Sequence, residues 1–235
     1  MPIYKVTYCE PYKRANLFHH GCNFRCRWCS YKLDPDDAPR SFLDVEEIER
    51  ALAPLDVERM HFLGGEPTLN PQLPSLVRMA KERGIITKIG HSNGWNSPPE
   101  GIDEMNMSIK MLDDEKHRVY CGVSNRRILR NLRAGHASGV KMDVSSVLIP
   151  ELVPPEEIGR IAEFVASVDP AIPFHIIGYI PVPGVPWRRP SLEELVEAVE
   201  LSREHLSKVT FSAWNGEDFR RPHLRDERYR SVRVA

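Results

Sequence analysis

The chain has 235 residues, 41% of them hydrophobic and 28% charged, which is enough to bury one sizeable core and sits near the upper end of single-domain size. Thirty-two Lys and Arg against 33 Asp and Glu leave a formal net charge of -1, excluding a whole-chain electrostatic pull toward nucleic acid or an anionic membrane. No apolar run approaches the ~20 residues of a membrane span, and the opening Met1-Pro-Ile-Tyr-Lys lacks the apolar centre of a signal peptide.

A cytoplasmic setting is therefore expected, and it keeps thiols reduced. Cys9, Cys22, Cys26, Cys29 and Cys121 then read as metal ligands or isolated thiols, not as disulfide partners.

Along the chain, short apolar runs alternate with amphipathic stretches. Strands are predicted over Leu17–His20 and Arg59–Leu63, with a helix over Asp44–Ala53 between them. A helix over Leu73–Arg83 follows, then strands over Ile85–His91 and Met105–Lys110. Helix Asn125–Ala137, strand Lys141–Leu148, helix Pro155–Ser167, strand Phe174–Tyr179, helix Ser191–His205 and strand Lys208–Ser212 complete the alternation. Ser191 precedes Glu194 at capping-box spacing, and Pro155 with Glu156 and Glu157 suits a first helical turn.

Repeated strand–helix units require parallel strands with right-handed crossovers, and about six of them curl into a partial (β/α)6 barrel of the TIM type. The expected division is an N-terminal segment over 1–15, one α/β core domain over 16–214 and a polar, arginine-rich, solvated tail over 215–235. The proline-rich segments 149–155 and 181–190 read as stiff loops.

The strongest chemical signal is His20-Gly-Cys22-Asn-Phe-Arg-Cys26-Arg-Trp28-Cys29, with C-x3-C-x2-C spacing. Three thiolates this close can wrap one metal centre on a single loop, and Gly21 permits a tight turn. Structural zinc usually takes four protein ligands in two pairs, and no second pair exists; His19 or His20 would have to complete such a site. The fuller account is a four-iron cluster with one iron left open for a ligand.

This spacing, with an aromatic residue before the last cysteine, resembles the hallmark of the radical S-adenosylmethionine superfamily. Gly64-Gly65-Glu66-Pro67, one strand–helix unit later, is similar to that family's GGEP motif. Ser92-Asn93-Gly94, Ser108-Ile-Lys110, the stretch Asp113–Leu132 and Pro173–Pro181 match, in order, the glycyl-radical-enzyme activases, a branch that includes the pyruvate formate-lyase activating enzymes.

The resemblance implies a [4Fe–4S] cluster on Cys22, Cys26 and Cys29 and reductive cleavage of S-adenosylmethionine. It further implies that Gly64, Gly65, Glu66 and Pro67 meet the methionine amine. Asn93, Ser108, Lys110 and His175 would line the cofactor cleft, with Val147 and Trp28 near the adenine.

No protein general base is assigned. A flavodoxin or ferredoxin would donate the electron, the setting would be anaerobic, and the substrate would be a glycine of a partner protein. Radical modification of another protein, an RNA or a small molecule is a second reading, and a non-catalytic iron–sulfur or zinc module a third.

Departures accompany the matches. His91 and Ser108 stand where the activase pattern has aspartates, so a monovalent cation site is not expected, and Cys29-Ser-Tyr-Lys replaces the usual Cys-His-Asn-Pro. Cys9 and Cys121 read as buried thiols, and no cysteine group remains for an auxiliary cluster.

Overall fold

The computed structural model describes residues 2–33 and 41–235. Residue 1, in the expected N-terminal segment, and residues 34–40, in the expected core, lie outside the described residues.

Seven parallel strands form the centre: β2 (Arg14–His19), β3 (Arg59–Gly64), β4 (Ile86–Ser92), β5 (Glu104–Ser108), β6 (Lys141–Leu148), β7 (Phe174–Gly178) and β8 (Val209–Ser212). Their order in the sheet is their order in the chain, with β1 (Ile3–Cys9) and β9 (Val232–Arg233) continuing antiparallel beyond β2. A sheet built by crossovers of one hand, twisting steadily, curls into a partial barrel.

The crossovers carry α1 (Val45–Leu52), α2 (Leu73–Glu82), the pair α3 (Asp114–Cys121) and α4 (Arg126–Ala137), α5 (Pro155–Ala166) and α6 (Leu192–Arg203). The link from β4 to β5 contains no helix. The predicted capping box forms, Ser191 accepting from the Glu194 amide while Glu194 accepts from the Ser191 amide, and α1 has a second that was not predicted, between Asp44 and Glu47.

Alternation decides which face of the sheet meets the helices. Met60 and Phe62, Met105 and Met107, Val144, Phe174 and Ile176 point outward and are buried with Leu76, Ile128, Leu132, Ile158, Ile161 and Leu195. The opposite, concave face is largely polar. Asn16, His61, Lys88, Glu104 and Lys141 occupy paired positions across five strands. Glu104 receives Arg59 at 3.0 Å, Lys141 at 3.3 Å and Lys88 at 3.4 Å, and Lys88 also meets Asp143 at 2.5 Å. Higher up, Ser145 donates to Asn106 at 2.8 Å.

Three elements differ from the sequence expectation. Residues 3–9 form a full strand, paired to β2 from Ile3 to Cys9. The stretch between strand Met105–Lys110 and helix Asn125–Ala137, to which the sequence assigned no helix, holds α3, whose few buried residues hid its period; Asp113 caps it by accepting from Lys116, and Gly122 ends it at φ 86°. The C-terminal stretch, read as solvated, instead returns to the sheet. It places α7 (Gly216–Arg220) after β8 and pairs β9 with β1; the Val6 amide donates to Ala235 at 2.9 Å, and Val234 donates back to Val6 at 2.9 Å. The open edge of β1 supplies the reason, since its backbone groups need partners.

Burial would raise the Glu104 carboxyl, but the Arg59 bond and the charges of Lys88 and Arg59 hold it below the usual range. Glu104→Gln is therefore expected to cost about 1–3 kcal/mol at neutral pH in urea unfolding. Because the folded value is depressed, the difference from wild type should persist above the ordinary Glu value of ~4.3 and close as pH falls through the lower folded value. A difference that does not narrow in acid would refute this account of the row.

Candidate functional site

The candidate site lies at the carboxyl ends of the strands, where Cys22, Cys26 and Cys29 follow β2 on one loop. The neighbouring loop after β3 fixes its path. The Gly65 amide donates to the His19 carbonyl at 2.8 Å, and the Glu66 amide to the Gly21 carbonyl at 2.9 Å. Gly64 adopts φ 105°, and a Cβ there would overlap the His19 backbone; one on Gly65 would overlap the Gly21 carbonyl. Two glycines are thus the condition for this backbone-to-backbone contact.

Glu66 is 0% exposed. It accepts from the Thr68 hydroxyl (2.6 Å) and amide (3.1 Å), the Ser92 hydroxyl (2.9 Å) and the Asn93 amide (2.6 Å). Burial pushes its carboxyl up, while these four bonds oppose the shift. Its oxygens brace the end of β3 to the end of β4, and Pro67 is buried in the short turn that follows. In this arrangement the carboxylate is committed to the protein, so an amine would be met by neighbouring backbone carbonyls.

Asn93 ties the cysteine loop to β4. Its amide nitrogen donates to Asn23 at 2.8 Å and lies 3.5 Å from the Cys22 sulfur, and its oxygen accepts from the Trp95 amide at 2.9 Å. The loop is also clamped by rings: Phe24 meets Trp95 and His117 edge-on, and Trp28 meets Trp187. Below it, the Arg25 amide donates to the Cys121 carbonyl at 2.9 Å and the Arg27 amide to Tyr120 at 3.3 Å.

A model of the radical SAM superfamily matches residues 16–165, a span that contains the cysteine loop and the strand ends it rests on. The chain belongs to the radical SAM superfamily. Members of this family use a [4Fe–4S] cluster and S-adenosylmethionine, and they are enzymes.

Among its relatives, a Methanocaldococcus jannaschii protein named as a glycyl-radical enzyme activating enzyme is 26% identical over 223 residues, covering 88% of this chain and 82% of its own. The GTP 3′,8-cyclase of Tolumonas auensis is 31% identical over 145 residues, covering 56% of this chain and 43% of its own. The crystal structure of Streptococcus suis SuiB superimposes with a TM-score of 0.64 at 19% identity, over 86% of this chain and 47% of SuiB, a likeness of fold.

The three cysteines of the loop are chemically unequal. Cys22 is open to solvent yet its thiol is pushed up, by desolvation first, against bonds from Phe24 and Asn93. Desolvation likewise raises Cys29, with Lys110 and Lys32 opposing. Cys26 is held below the usual thiol range, chiefly by a bond from Cys121, whose own thiol is pushed up by that contact.

Among the described residues, no three His, Cys, Asp or Glu side chains stand together at metal-binding separation. The donor set nevertheless fits an iron–sulfur cluster: three soft sulfurs on one short loop, with no carboxylate or imidazole bonded to any of them among the described residues. The His19 ring bonds the Leu63 carbonyl at 2.9 Å, and the His20 ring packs against Tyr4 and Phe42.

The remaining residues singled out in the sequence lie on or just after β5, β6 and β7. Lys110 donates to Ser108 at 2.6 Å, and its charge reaches Cys26, Cys29 and His91. Val147 pairs with Ile177 on the next strand and is partly buried. His175 is held at both ring nitrogens, by Thr210 at 2.8 Å and Ser212 at 3.1 Å. Burial lowers its value, as it lowers that of His91 to about 4, so both rings are neutral at pH 7.

His91 faces the cleft and is open to solvent, although protein surrounds it on the other sides; an irregular register between Ile89 and Ser92 re-aims it. Thr210, Ser212 and Trp187 were not singled out from sequence. Only the strand-end position of Ser212 and the proline-flanked Trp187 could have marked them.

Glu66→Gln should destabilise the radical SAM fold by about 1–3 kcal/mol, because one acceptor becomes an NH2 group facing donors. Urea unfolding measures it. An unchanged midpoint would sink the bracing role.

Proposed function

We propose that this chain is a radical SAM activating-type enzyme in which Cys22, Cys26 and Cys29 hold a [4Fe–4S] cluster and the substrate is a glycine of a partner protein. The observation that carries the substrate class is the likeness to the activating-enzyme relative, which runs through 82% of that protein, against 43% of the cyclase. Bound together, the cluster and S-adenosylmethionine would supply one-electron cleavage and hydrogen-abstraction chemistry.

The chain's own work is positioning and exclusion. Gly64 and Gly65 offer backbone oxygens to the methionine amine while Glu66 and Pro67 keep that turn rigid. Lys110, steadied by Ser108, is the cation for the carboxylate. Asn93 orients the loop through Cys22. His175, fixed and neutral, offers a ribose contact, and Val147 with Trp28 forms an apolar surface for adenine. No residue acts as general base, since hydrogen-atom transfer needs none.

The electron would come from a flavodoxin or ferredoxin, in an anaerobic, cytoplasmic setting. Among the described residues no helix is long and apolar enough to cross a membrane.

Anaerobic reconstitution should load about four irons per chain, and dithionite should then release 5′-deoxyadenosine. A variant with Cys22, Cys26 and Cys29 all changed to Ala should lose both. Equal turnover in that variant would end the ligand assignment. Incubation with a glycyl radical enzyme encoded beside the gene should give a protein-based radical detected by electron paramagnetic resonance; cofactor cleavage without that signal would favour a different substrate.

A further inference from the structure

The connection from β7 to α6 reaches the cysteine loop, where its Trp187 meets Trp28. It contains Pro181, Pro183, Pro186 and Pro190, and it is pinned at its far end. Arg188 makes two bonds to Glu194, at 2.8 and 2.6 Å, and approaches Glu151 at 3.5 Å; Arg189 donates to the Ala213 carbonyl at 2.6 Å. At its near end the Val182 amide donates to the Tyr179 hydroxyl at 3.1 Å. A strap so restrained holds whatever side chain it carries in one place.

That side chain is Trp187. Its ring meets Trp28 at 6.0 Å and 70°, Tyr120 at 5.8 Å and 67°, and Tyr179 at 6.4 Å and 74°, three edge-to-face contacts to three separate parts of the chain. Trp28 lies between Cys26 and Cys29, in a turn where the Cys29 amide donates to the Cys26 carbonyl at 3.3 Å and Lys32 donates to the Arg27 carbonyl at 2.9 Å. Tyr120 ends α3, where the backbone of Arg27 is held, and its ring also carries the Arg27 guanidinium at 5.6 Å.

We propose that Trp187 is a positioning residue that locks the Cys26–Cys29 turn and shields its sulfurs by trapping Trp28 against the strap. The proposal rests on the reading of these cysteines as cluster ligands, and its test is set up to need neither iron nor S-adenosylmethionine. In reduced, cluster-free protein, iodoacetamide labelling of each cysteine is followed by mass spectrometry. Trp187→Ala and Trp187→Leu should raise the labelling rates of Cys26 and Cys29 about tenfold, the scale expected when ring contacts of this kind are lost. Trp187→Phe, which keeps a ring edge, should stay near wild type.

Cys9 is buried at the far side, its thiol on the Arg228 carbonyl at 3.0 Å, and should not change. Wild-type rates at Cys26 and Cys29 in the Ala and Leu variants overturn the proposal. So does a parallel rise at Cys9, which would mark general loosening. In reconstituted protein the Ala variant should also lose its cluster absorbance faster to an iron chelator, with Phe restoring retention. Failure to load iron in wild type would count against the ligand assignment alone.

Discussion

The site depends on one close approach. Gly64 and Gly65 lay their backbone directly on that of His19 and Gly21, and any side chain at those two positions would occupy space that the neighbouring backbone already fills. The approach converts two adjacent strand ends into one rigid platform, because the hydrogen bonds between the loops join main chain to main chain. Glu66 extends the platform to β4 by accepting from Ser92 and Asn93, and Asn93 returns the connection to Cys22. A change in any of these residues is thus felt at the cysteines without touching them.

A second constraint comes from the two faces of the sheet. The outward face is methionine, phenylalanine and branched aliphatic side chains sealed by helices, so stability resides there. The concave face is then free to carry charge, and it does so in compensated groups: Glu104 among Arg59, Lys88 and Lys141, and Asp143 on Lys88. Near the strand ends this compensation stops. Lys110 has a hydroxyl partner, not a carboxylate, and His91 and His175 are neutral. The upper cleft is consequently suited to an anionic or hydrogen-bonding ligand, in keeping with the carboxylate and ribose of the family's cofactor.

How much of this was legible in the sequence follows from how local each signal is. The alternation of strands and helices and the capping box at Ser191 are set by residues a few positions apart, and they formed as read. The cysteine spacing and the glycine pair were visible for the same reason. Strand β1 and helix α3 were not, because their identity comes from partners: β1 is ordered by the distant C-terminus as well as by β2, and α3 buries only His117 and Cys121. Glu66 shows the limit most clearly. Its type and place were evident, but the four donors that occupy it come from Thr68, Ser92 and Asn93, and only the folded chain brings the last two within reach.

The platform also makes the three sulfurs inequivalent, and the charges say in which sense. Lys110 and Lys32 act on Cys26 and Cys29, favouring their thiolates. Cys22 instead feels Glu66, a carboxylate that disfavours a second negative charge. A cluster carried on three thiolates would therefore have its charge best compensated on the Cys26–Cys29 side, toward Lys110, and least at Cys22, toward solvent. Any further negative charge placed there would be most stable beside the lysines. The electrostatic asymmetry is built from residues after two different strands, Glu66 after β3 and Lys110 after β5, and from Lys32 beyond the cysteines, so it exists only in the folded chain.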